Sequence, residues 1–411
     1  MNTVSSAVNT ATWLSRPAQR APPAPNPRYG QMLRSGFRPH PLLRGAHLQT
    51  MASLLRPAPK LVLRCERLEL PDGDFVDLGW SGDQHKRGPL AVLVHGLCGG
   101  FESKYARGTA CQLIARGWRT VIFQLRGAGP EPNRLPRCYN QGDTDDLRYF
   151  WHLLRNREPH AFIAAVGWSL GGNVTLKALA EEGNAAPVDI AAAASVPFII
   201  RPCAERLRSG FSRLYQKLLL DALKDALRRK HLHVAPSPLV NLAAALVARD
   251  FIEYDEAYTA PLAGYRDAED YYTHSSCSRL LRNIRRPTLV VHALDDPFMT
   301  VDIVPAPEAL APCVTIEVAQ SGGHVGFVSA GALGLPYCWL ERRLTAYLHD
   351  GYERRVGSLV HPVDTQSAER GRGLSELYPG PAGTLGLALT TPLALAPAFE
   401  HLPNVATCQA A

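Results

Sequence analysis

Three polar residues that lie far apart in the sequence have side chains suited to acyl chemistry: Ser169, Asp296 and His324. Ser169 stands in the segment Gly-Trp-Ser-Leu-Gly, which matches the G-x-S-x-G pattern of a nucleophile elbow. A serine hydroxyl is a weak nucleophile until a base takes its proton, and the base needs a carboxylate to orient it. The chain order of serine, then aspartate, then histidine is the order that accompanies this elbow. We therefore predict that Ser169 is a nucleophile, with His324 as its base and Asp296 as the orienting acid.

The residues around Ser169 predict the local structure that this chemistry needs. The apolar run 161–166 is typical of a buried parallel strand, and residues 173–180 are rich in helix-forming Leu, Lys and Ala. Gly167 and Gly171 have no side chains to collide in a sharp strand-to-helix turn, which would present Ser169 beside a helix N-terminus. The alternative is a glycine-rich turn without chemistry, because the chain contains 33 glycines and the pattern alone is common.

The acid and the base each follow a predicted strand. Residues 289–293 lead into Asp295 and Asp296, and residues 313–319 lead towards His324. Because such loops meet at the carboxyl edge of a parallel sheet, we expect them to converge on the serine. Either aspartate could orient the histidine, and we favour Asp296 because the proline after it fixes the turn. The alternative for His324 is a structural role, since the chain has 14 histidines.

A glycine-rich turn is predicted to hold the negative charge of the reaction. The segment His-Gly-Leu-Cys-Gly-Gly, residues 95–100, follows an apolar strand at 89–95. We expect the backbone N–H groups of Leu97 and Leu170 to form the oxyanion hole, because glycines let the backbone approach a carbonyl closely. Cys98 in this turn has no evident partner, so we interpret it as a small turn residue rather than a second nucleophile.

Strand and helix patterns alternate along the chain, which predicts an α/β fold with a mostly parallel, doubly wound sheet. The pattern changes in residues 198–270, where no strand is evident and apolar residues recur at helical spacing from Phe211 to Leu227. The opposite face of that segment carries charges of both signs, which favours core packing over a membrane-surface helix. A helical insertion at this point would form a cap over the catalytic edge.

Composition divides the chain into three parts. Residues 1–28 are proline-rich and basic and are predicted to be a disordered arm; residues 29–350 hold the folded domain; residues 351–411 are predicted to be a low-complexity, disordered tail. The formal net charge is +7, but residues 1–60 carry eight Lys and Arg and no acid, so the rest of the chain is nearly neutral. This charge distribution, without interleaved aromatic residues, argues against a nucleic-acid-binding protein.

Nine cysteines are scattered through the chain without a C-x-x-C pair. This pattern favours thiols in a reducing compartment, such as the cytoplasm, over a disulfide framework or a zinc site. No apolar run reaches the ~20 residues of a transmembrane helix, so any membrane contact is expected to be peripheral.

Several further motifs give the chain a family resemblance. The chain resembles the YheT-like α/β-hydrolases over roughly residues 35–350, in segments 47–50, 95–100, 126–129, 167–173, 251–262, 294–299 and 323–327. The resemblance implies an α/β-hydrolase fold and a Ser–Asp–His hydrolase of carboxylic esters, with Ser169, Asp296 and His324 as the triad. Members of the wider group act on lipid esters or transfer acyl groups to alcohols.

These observations lead to one main hypothesis and two alternatives. The main hypothesis is a serine esterase that acts on small-molecule esters or lipids with lipophilic, short- to medium-chain acyl groups. It would work through an acyl-enzyme on Ser169 and would need no metal or organic cofactor. The alternatives are an acyltransferase that uses an alcohol as acceptor, and a non-catalytic binding protein with a hydrolase fold. The oligomeric state is left open.

Overall fold

A nine-stranded sheet forms the centre of the computed structural model, which describes residues 28–360. The strands are β1 (Gln31–Arg34), β2 (Arg64–Glu69), β3 (Phe75–Ser81), β4 (Leu90–Val94), β5 (Arg119–Phe123), β6 (Ile163–Trp168), β7 (Ile190–Ala194), β8 (Thr288–Ala293) and β9 (Val314–Ala319). Their spatial order is β1-β9-β8-β7-β6-β4-β5-β3-β2. Only β3 runs antiparallel to its neighbours, β2 and β5, so the predicted mostly parallel sheet is confirmed.

Helices cover both faces of this sheet. The α-helices are α1 (Ala46–Leu55), α2 (Lys104–Ile114), α3 (Asp145–Arg157), α4 (Leu170–Glu182), α5 (Ile200–Leu207), α6 (Ser212–His231), α7 (Leu242–Val247), α8 (Phe251–Tyr254), α9 (Ala260–Leu262), α10 (Ala268–Ser275) and α11 (Trp339–Val360). Helices α3 and α4 pack on one face, and α2 and α11 pack on the other.

Successive side chains of the central strands point to opposite faces of the sheet, so each strand contributes residues to both hydrophobic cores. In β4, Val92 and Val94 belong to the core under α3 and α4, whereas Ala91 and Leu93 belong to the core under α2 and α11. All five residues of this strand are buried, as are all residues of β6, β7 and β8. Parallel strands that are covered on both faces consist of such continuous apolar runs, and these runs therefore predicted the strands from the sequence.

A helical cap lies between β7 and β8, where an insertion at 198–270 was predicted. It comprises α5 to α10, with a π-helical turn at Asp255–Thr259, and therefore extends slightly further, to Ser275. The cap has its own core, built around residues such as Tyr215, Leu227 and Tyr258. Leu97 and Phe298, from loops at the carboxyl edge of the sheet, pack against this core and so connect the cap to the sheet.

The structure corrects the predicted start of the tail at residue 351. Helix α11 continues to Val360, because Tyr352 packs its ring against Trp118 and Phe162 at centroid distances of 5.8 and 5.5 Å. Residues 361–411 of the predicted tail and residues 1–27 of the predicted arm lie outside the described residues. Among residues 28–360, no helix has both the length and the apolar character that crossing a membrane requires.

Candidate active site

Ser169 occupies a sharp turn between β6 and α4, the strand and helix predicted for it. Its backbone is left-handed, with φ 52° and ψ −123°, a conformation that costs a serine ~1–3 kcal/mol. The two glycines flanking it make the turn feasible. A Cβ on Gly167 would overlap the carbonyl oxygen of Gly171, and a Cβ on Gly171 would overlap the carbonyl oxygen of His95. The G-x-S-x-G spacing thus has a steric cause in this structure.

The fold brings the three predicted residues together at the carboxyl edge of the sheet. His324 Nε2 lies 3.0 Å from Ser169 Oγ, and His324 Nδ1 lies 2.8 Å from Asp296 Oδ2. Ser169 follows β6, Asp296 follows β8 and His324 follows β9. An ionised carboxylate only accepts hydrogen bonds, so we assign the imidazole proton to Nδ1, which leaves Nε2 able to accept the proton of the serine hydroxyl.

The two adjacent aspartates have different partners. Both carboxylate oxygens of Asp296 are used, because Oδ1 accepts the Phe298 N–H at 2.9 Å and Oδ2 faces the imidazole. Only 1% of its side chain is exposed. Asp295 instead accepts the Gly323 N–H at 2.9 Å, and burial raises the pKa of its carboxyl. Asp296 is therefore the carboxylate next to the histidine, and Asp295 holds the loop in front of it.

The His324 imidazole is held by an aromatic stack as well as by Asp296. The Phe298 ring lies parallel to it, with centroids 3.9 Å apart and an interplanar angle of 5°. The backbone N–H of His324 donates to Thr50 Oγ1 at 2.9 Å. This last contact was missed by the sequence analysis. Its one signal was the His-Leu-Gln-Thr segment at 47–50, which the family resemblance includes without a role.

Among residues 96–100 of the glycine-rich turn, the structure shows one backbone N–H without a protein acceptor. The N–H groups of Gly96 and Cys98 donate to the hydroxyls of Tyr105 and Tyr139, at 2.9 and 3.0 Å. Those of the next two glycines also have protein acceptors. Within residues 28–360, the N–H of Leu97 has none.

Leu170 supplies the second N–H of the predicted pair. It is the first residue of α4, so its N–H has no acceptor within the helix. Leu97 and Leu170 both line the same cavity as Ser169. The two groups that were predicted to form an oxyanion hole are thus both available to a ligand in that cavity.

Cys98, in the turn at residues 95–100, has a left-handed backbone, with φ 56°. The residue is exposed to the cavity, but its sulfur lies 3.6 Å from the Leu219 carbonyl oxygen of the cap, and loss of hydration there raises the pKa of the thiol to about 12. At neutral pH the side chain is therefore a thiol, a form with little nucleophilic reactivity. This agrees with its interpretation as a turn residue.

A cavity of about 570 Å³ lies between the cap and the sheet edge and reaches Ser169. Its cap side is largely apolar, with Leu219, Leu223 and Leu227 from α6 among the lining residues. Polar residues also line it, including Arg137 and, near the C-terminal end of α6, Lys230. A cavity of this size holds a drug-sized organic molecule, and its apolar wall suits a hydrocarbon chain.

Asn173, in the first turn of α4, ties the elbow to the cap. Its buried amide donates to the backbone carbonyls of Gln141 and Ser275, both at 2.8 Å, and its oxygen accepts the Cys277 N–H at 3.0 Å. Ser275 and Cys277 lie where the cap returns to the sheet. Sequence reasoning included Asn173 in a motif but gave it no such role.

The chain is similar in sequence to known proteins. A family model described as alpha/beta hydrolase fold matches residues 89–330. The chain is 45% identical over 308 residues to YheT of Escherichia coli (strain K12), a protein provisionally described as an esterase, covering 74% of this chain and 89% of that protein.

More distant relatives have names that refer to lipid esters. The chain is 29% identical to the phospholipase ABHD3 of Mus musculus, covering 67% of this chain and 70% of that protein. It is 28% identical to the medium-chain fatty acid ethyl ester synthase/esterase 2 of Saccharomyces cerevisiae (strain ATCC 204508 / S288c), covering 58% of each chain. The chain therefore belongs to the α/β-hydrolase fold family, as a YheT-like member.

Proposed function

We propose that this protein is a serine hydrolase that cleaves carboxylic esters through an acyl-enzyme on Ser169. The observation that carries the proposal is the unbroken row of hydrogen-bonding atoms from Ser169 Oγ through His324 to Asp296, with separations of 3.0 and 2.8 Å. These distances allow proton transfer without any rearrangement of the site.

The proposed reaction has two halves. His324 Nε2 takes the proton of Ser169 as Oγ attacks the ester carbonyl, and Asp296 stabilises the imidazolium that forms. The N–H groups of Leu97 and Leu170 hold the oxyanion of the tetrahedral intermediate. The C–O bond then breaks, the alcohol leaves with the proton from His324, and an acyl group remains on Ser169. In the second half, His324 takes a proton from water as the water oxygen attacks the acyl carbonyl. The bond between the acyl carbon and Ser169 Oγ then breaks, His324 returns the proton to Oγ, and the carboxylic acid leaves.

The proposed substrates are esters or lipids with lipophilic acyl groups of short to medium length. The apolar wall from α6 favours a hydrocarbon chain, and the volume of about 570 Å³ limits its length. The names of the phospholipase and ethyl ester synthase relatives are consistent with this class. We place the protein in the cytoplasm, because its nine cysteines are scattered and odd in number.

A p-nitrophenyl ester series from acetate to palmitate tests the proposal. We expect hydrolysis to be fastest for short to medium acyl chains and to be lost in Ser169→Ala. A fluorophosphonate probe should label the native protein on Ser169 and should leave Ser169→Ala unlabelled. A folded native protein that neither hydrolyses these esters nor reacts with the probe would contradict the proposal and favour the non-catalytic binding protein.

Acyl transfer to an alcohol is the second candidate, favoured by the synthase/esterase name of the yeast relative. An alcohol can replace water in the second half of the same reaction. The two candidates differ in product: with ethanol added, a transferase gives mainly the ethyl ester and an esterase gives mainly the free acid. Chromatography of the products from a medium-chain p-nitrophenyl ester separates them.

A further inference from the structure

Helix α1 packs its N-terminal half against the loop that carries His324. Two of its residues, Gln49 and Thr50, are almost completely buried there, at 0% and 1% exposure. They are the last two residues of the His-Leu-Gln-Thr segment, to which the proposed reaction assigns no task. Both are polar, so their burial requires hydrogen-bond partners.

Several of those partners are backbone groups of His324 and of Val328, where the histidine loop passes into a short strand (Val328–Ala330). Thr50 Oγ1 accepts the His324 N–H at 2.9 Å while its hydroxyl donates to the Ala46 carbonyl, also at 2.9 Å. Gln49 binds both backbone groups of Val328: its Oε1 accepts the N–H at 2.6 Å and its Nε2 donates to the carbonyl at 3.0 Å. Helix α1 thus holds the loop at residue 324 and again at residue 328.

The loop needs such support because its backbone is strained. Val325 and Phe327 have φ of 52° and 48°, in the left-handed region that branched and aromatic residues rarely adopt. Strained residues of this kind persist only where the surrounding contacts determine them. A Cβ on Gly326 would lie 2.7 Å from the carbonyl oxygen of Gln49, so the loop lies directly against α1.

Other elements hold two further N–H groups of the loop. Asp295, after β8, accepts the Gly323 N–H, and Ser195 Oγ, after β7, accepts the Val325 N–H at 3.0 Å. Among the described residues, Thr50 provides the one acceptor for the N–H of His324 itself. The backbone of that residue sets where its imidazole can reach.

We infer that Thr50 and Gln49 are positioning residues: they fix the strained loop so that His324 Nε2 meets Ser169 Oγ. The inference rests on the proposed function for its catalytic consequence, but the fixation of the loop is a separate physical claim. The two claims can therefore be tested separately.

Thr50→Val is the main test, because valine keeps the shape of threonine and removes the acceptor. We expect kcat for a p-nitrophenyl ester to fall roughly 10- to 100-fold with KM little changed, since a small misplacement of a reacting group has an effect of this size. Labelling of Ser169 by the fluorophosphonate should slow in parallel. Thr50→Ser keeps the hydroxyl and should restore most of the lost rate, which a role in packing alone would not predict.

Amide hydrogen exchange gives a readout that does not depend on activity. Peptides that cover residues 322–328 should exchange faster in Thr50→Val than in the native protein, while peptides from β6 should be unchanged. Gln49→Glu is a second variant in case the first does not fold. It retains an oxygen for the Val328 N–H but replaces the amide donor to the Val328 carbonyl, and it should also speed exchange in this loop.

The outcomes separate the inference from the proposed function. A folded Thr50→Val with native kcat and native exchange in the loop would overturn the inference and leave the proposed function intact. An inactive, unlabelled native protein would overturn the proposed function, and the exchange of residues 322–328 would still decide whether α1 fixes the loop. Faster exchange together with a lower kcat, rescued by Thr50→Ser, would support both.

Discussion

At the scale of single residues, the neighbours Asp295 and Asp296 provide an internal comparison. Their carboxylates are adjacent in sequence, yet one contacts the imidazole of His324 and the other contacts the backbone N–H of Gly323. A contact with the imidazole controls which ring nitrogen carries the proton, whereas a contact with the backbone controls only the path of the loop. Replacing each carboxylate by an amide should therefore have different effects.

We predict that Asp296→Asn lowers kcat by about 10⁴-fold, because an amide NH₂ facing Nδ1 favours the tautomer that places the proton on Nε2 and so removes the base. Asp295→Asn is the matched control. Its amide oxygen can still accept the Gly323 N–H, so we expect kcat to stay within about threefold of the native value. Steady-state hydrolysis of a p-nitrophenyl ester measures both. A larger loss in Asp295→Asn than in Asp296→Asn would show that the roles are reversed.

The sequence was informative about residues whose motifs have a local steric cause. The glycines around Ser169 are required by the elbow itself. Pro297 restricts the turn that follows Asp296, and this local restriction led us to prefer Asp296 over Asp295 as the triad acid. The bond between Thr50 and His324 joins residues 274 positions apart, and neither carries a local signal for the other. Contacts of this kind depend on how elements pack, so they could not be predicted from the spacing of residues.

At the scale of elements, the segment before β2 contains secondary structure that hydrophobic periodicity does not predict. Residues 29–60 are rich in polar and basic residues and are interrupted by prolines, which favours no regular element, yet they form β1 and α1. Strand β1 has only four residues and exists because it pairs with the edge of β9, from Gln31 with Thr315 to Arg34 with Val318. Such a short strand has no period of its own, since the partner strand supplies its hydrogen bonds.

The helical cap could be predicted from the sequence because α6 is long and amphipathic. Its apolar residues divide between two faces: Leu219, Leu223 and Leu227 line the cavity, while Leu214 and Leu218 are exposed at 42% and 55%. The sequence showed the stripe but not which part of it faces the cavity. That division provides a test of the acyl-binding role proposed for the cap.

We predict that Leu223→Trp shortens the acyl chain that the protein accepts, because an indole fills part of the cavity. The kcat/KM for a p-nitrophenyl octanoate should fall about tenfold or more, while that for the acetate should change little. Leu218→Trp, on the exposed side of the same helix, should leave both values unchanged. An equal loss for acetate and octanoate in Leu223→Trp would indicate damage to the site rather than a shorter cavity.

At the scale of the whole molecule, the sheet and its two cores follow from continuous apolar runs, which the sequence displays directly. The length of α11 did not follow in this way. Residues 351–360 contain two glycines and several charges, and the helix persists because Tyr352 packs with Trp118 and Phe162. Packing against an existing core overrides weak helix propensity, and such packing cannot be predicted from the local sequence alone.

The same continuous core also encloses two histidines, with a consequence for the stability of the whole fold. Burial lowers the pKa of both His95 and His292 to about 4, from an ordinary 6.5. In the fold, His95 Nε2 accepts the Leu125 N–H at 3.1 Å, a bond that a protonated ring could not form. Between pH 6.5 and 4 the unfolded chain therefore binds protons that the folded protein excludes.

The two histidines should accordingly stabilise the fold most above pH 6.5, and their contribution to the free energy of unfolding should fall as the pH is lowered towards 4, by about 3 kcal/mol for each histidine. Buried Asp255, with a pKa raised to about 6, acts in the opposite sense, since its folded form binds a proton more readily than its unfolded form. Burial also raises the pKa of Asp143, Asp295 and Glu341, so these carboxyls act in the same sense as Asp255, and a variant is needed to isolate the contribution of a histidine. Urea unfolding at pH 7 and pH 5 measures the difference.

His292→Leu, which removes one of the two groups, should reduce the loss at pH 5 while keeping the stability at pH 7 within about 1.5 kcal/mol of native. An unchanged loss at pH 5 in this variant would show that His292 takes no part in the acid sensitivity of the fold.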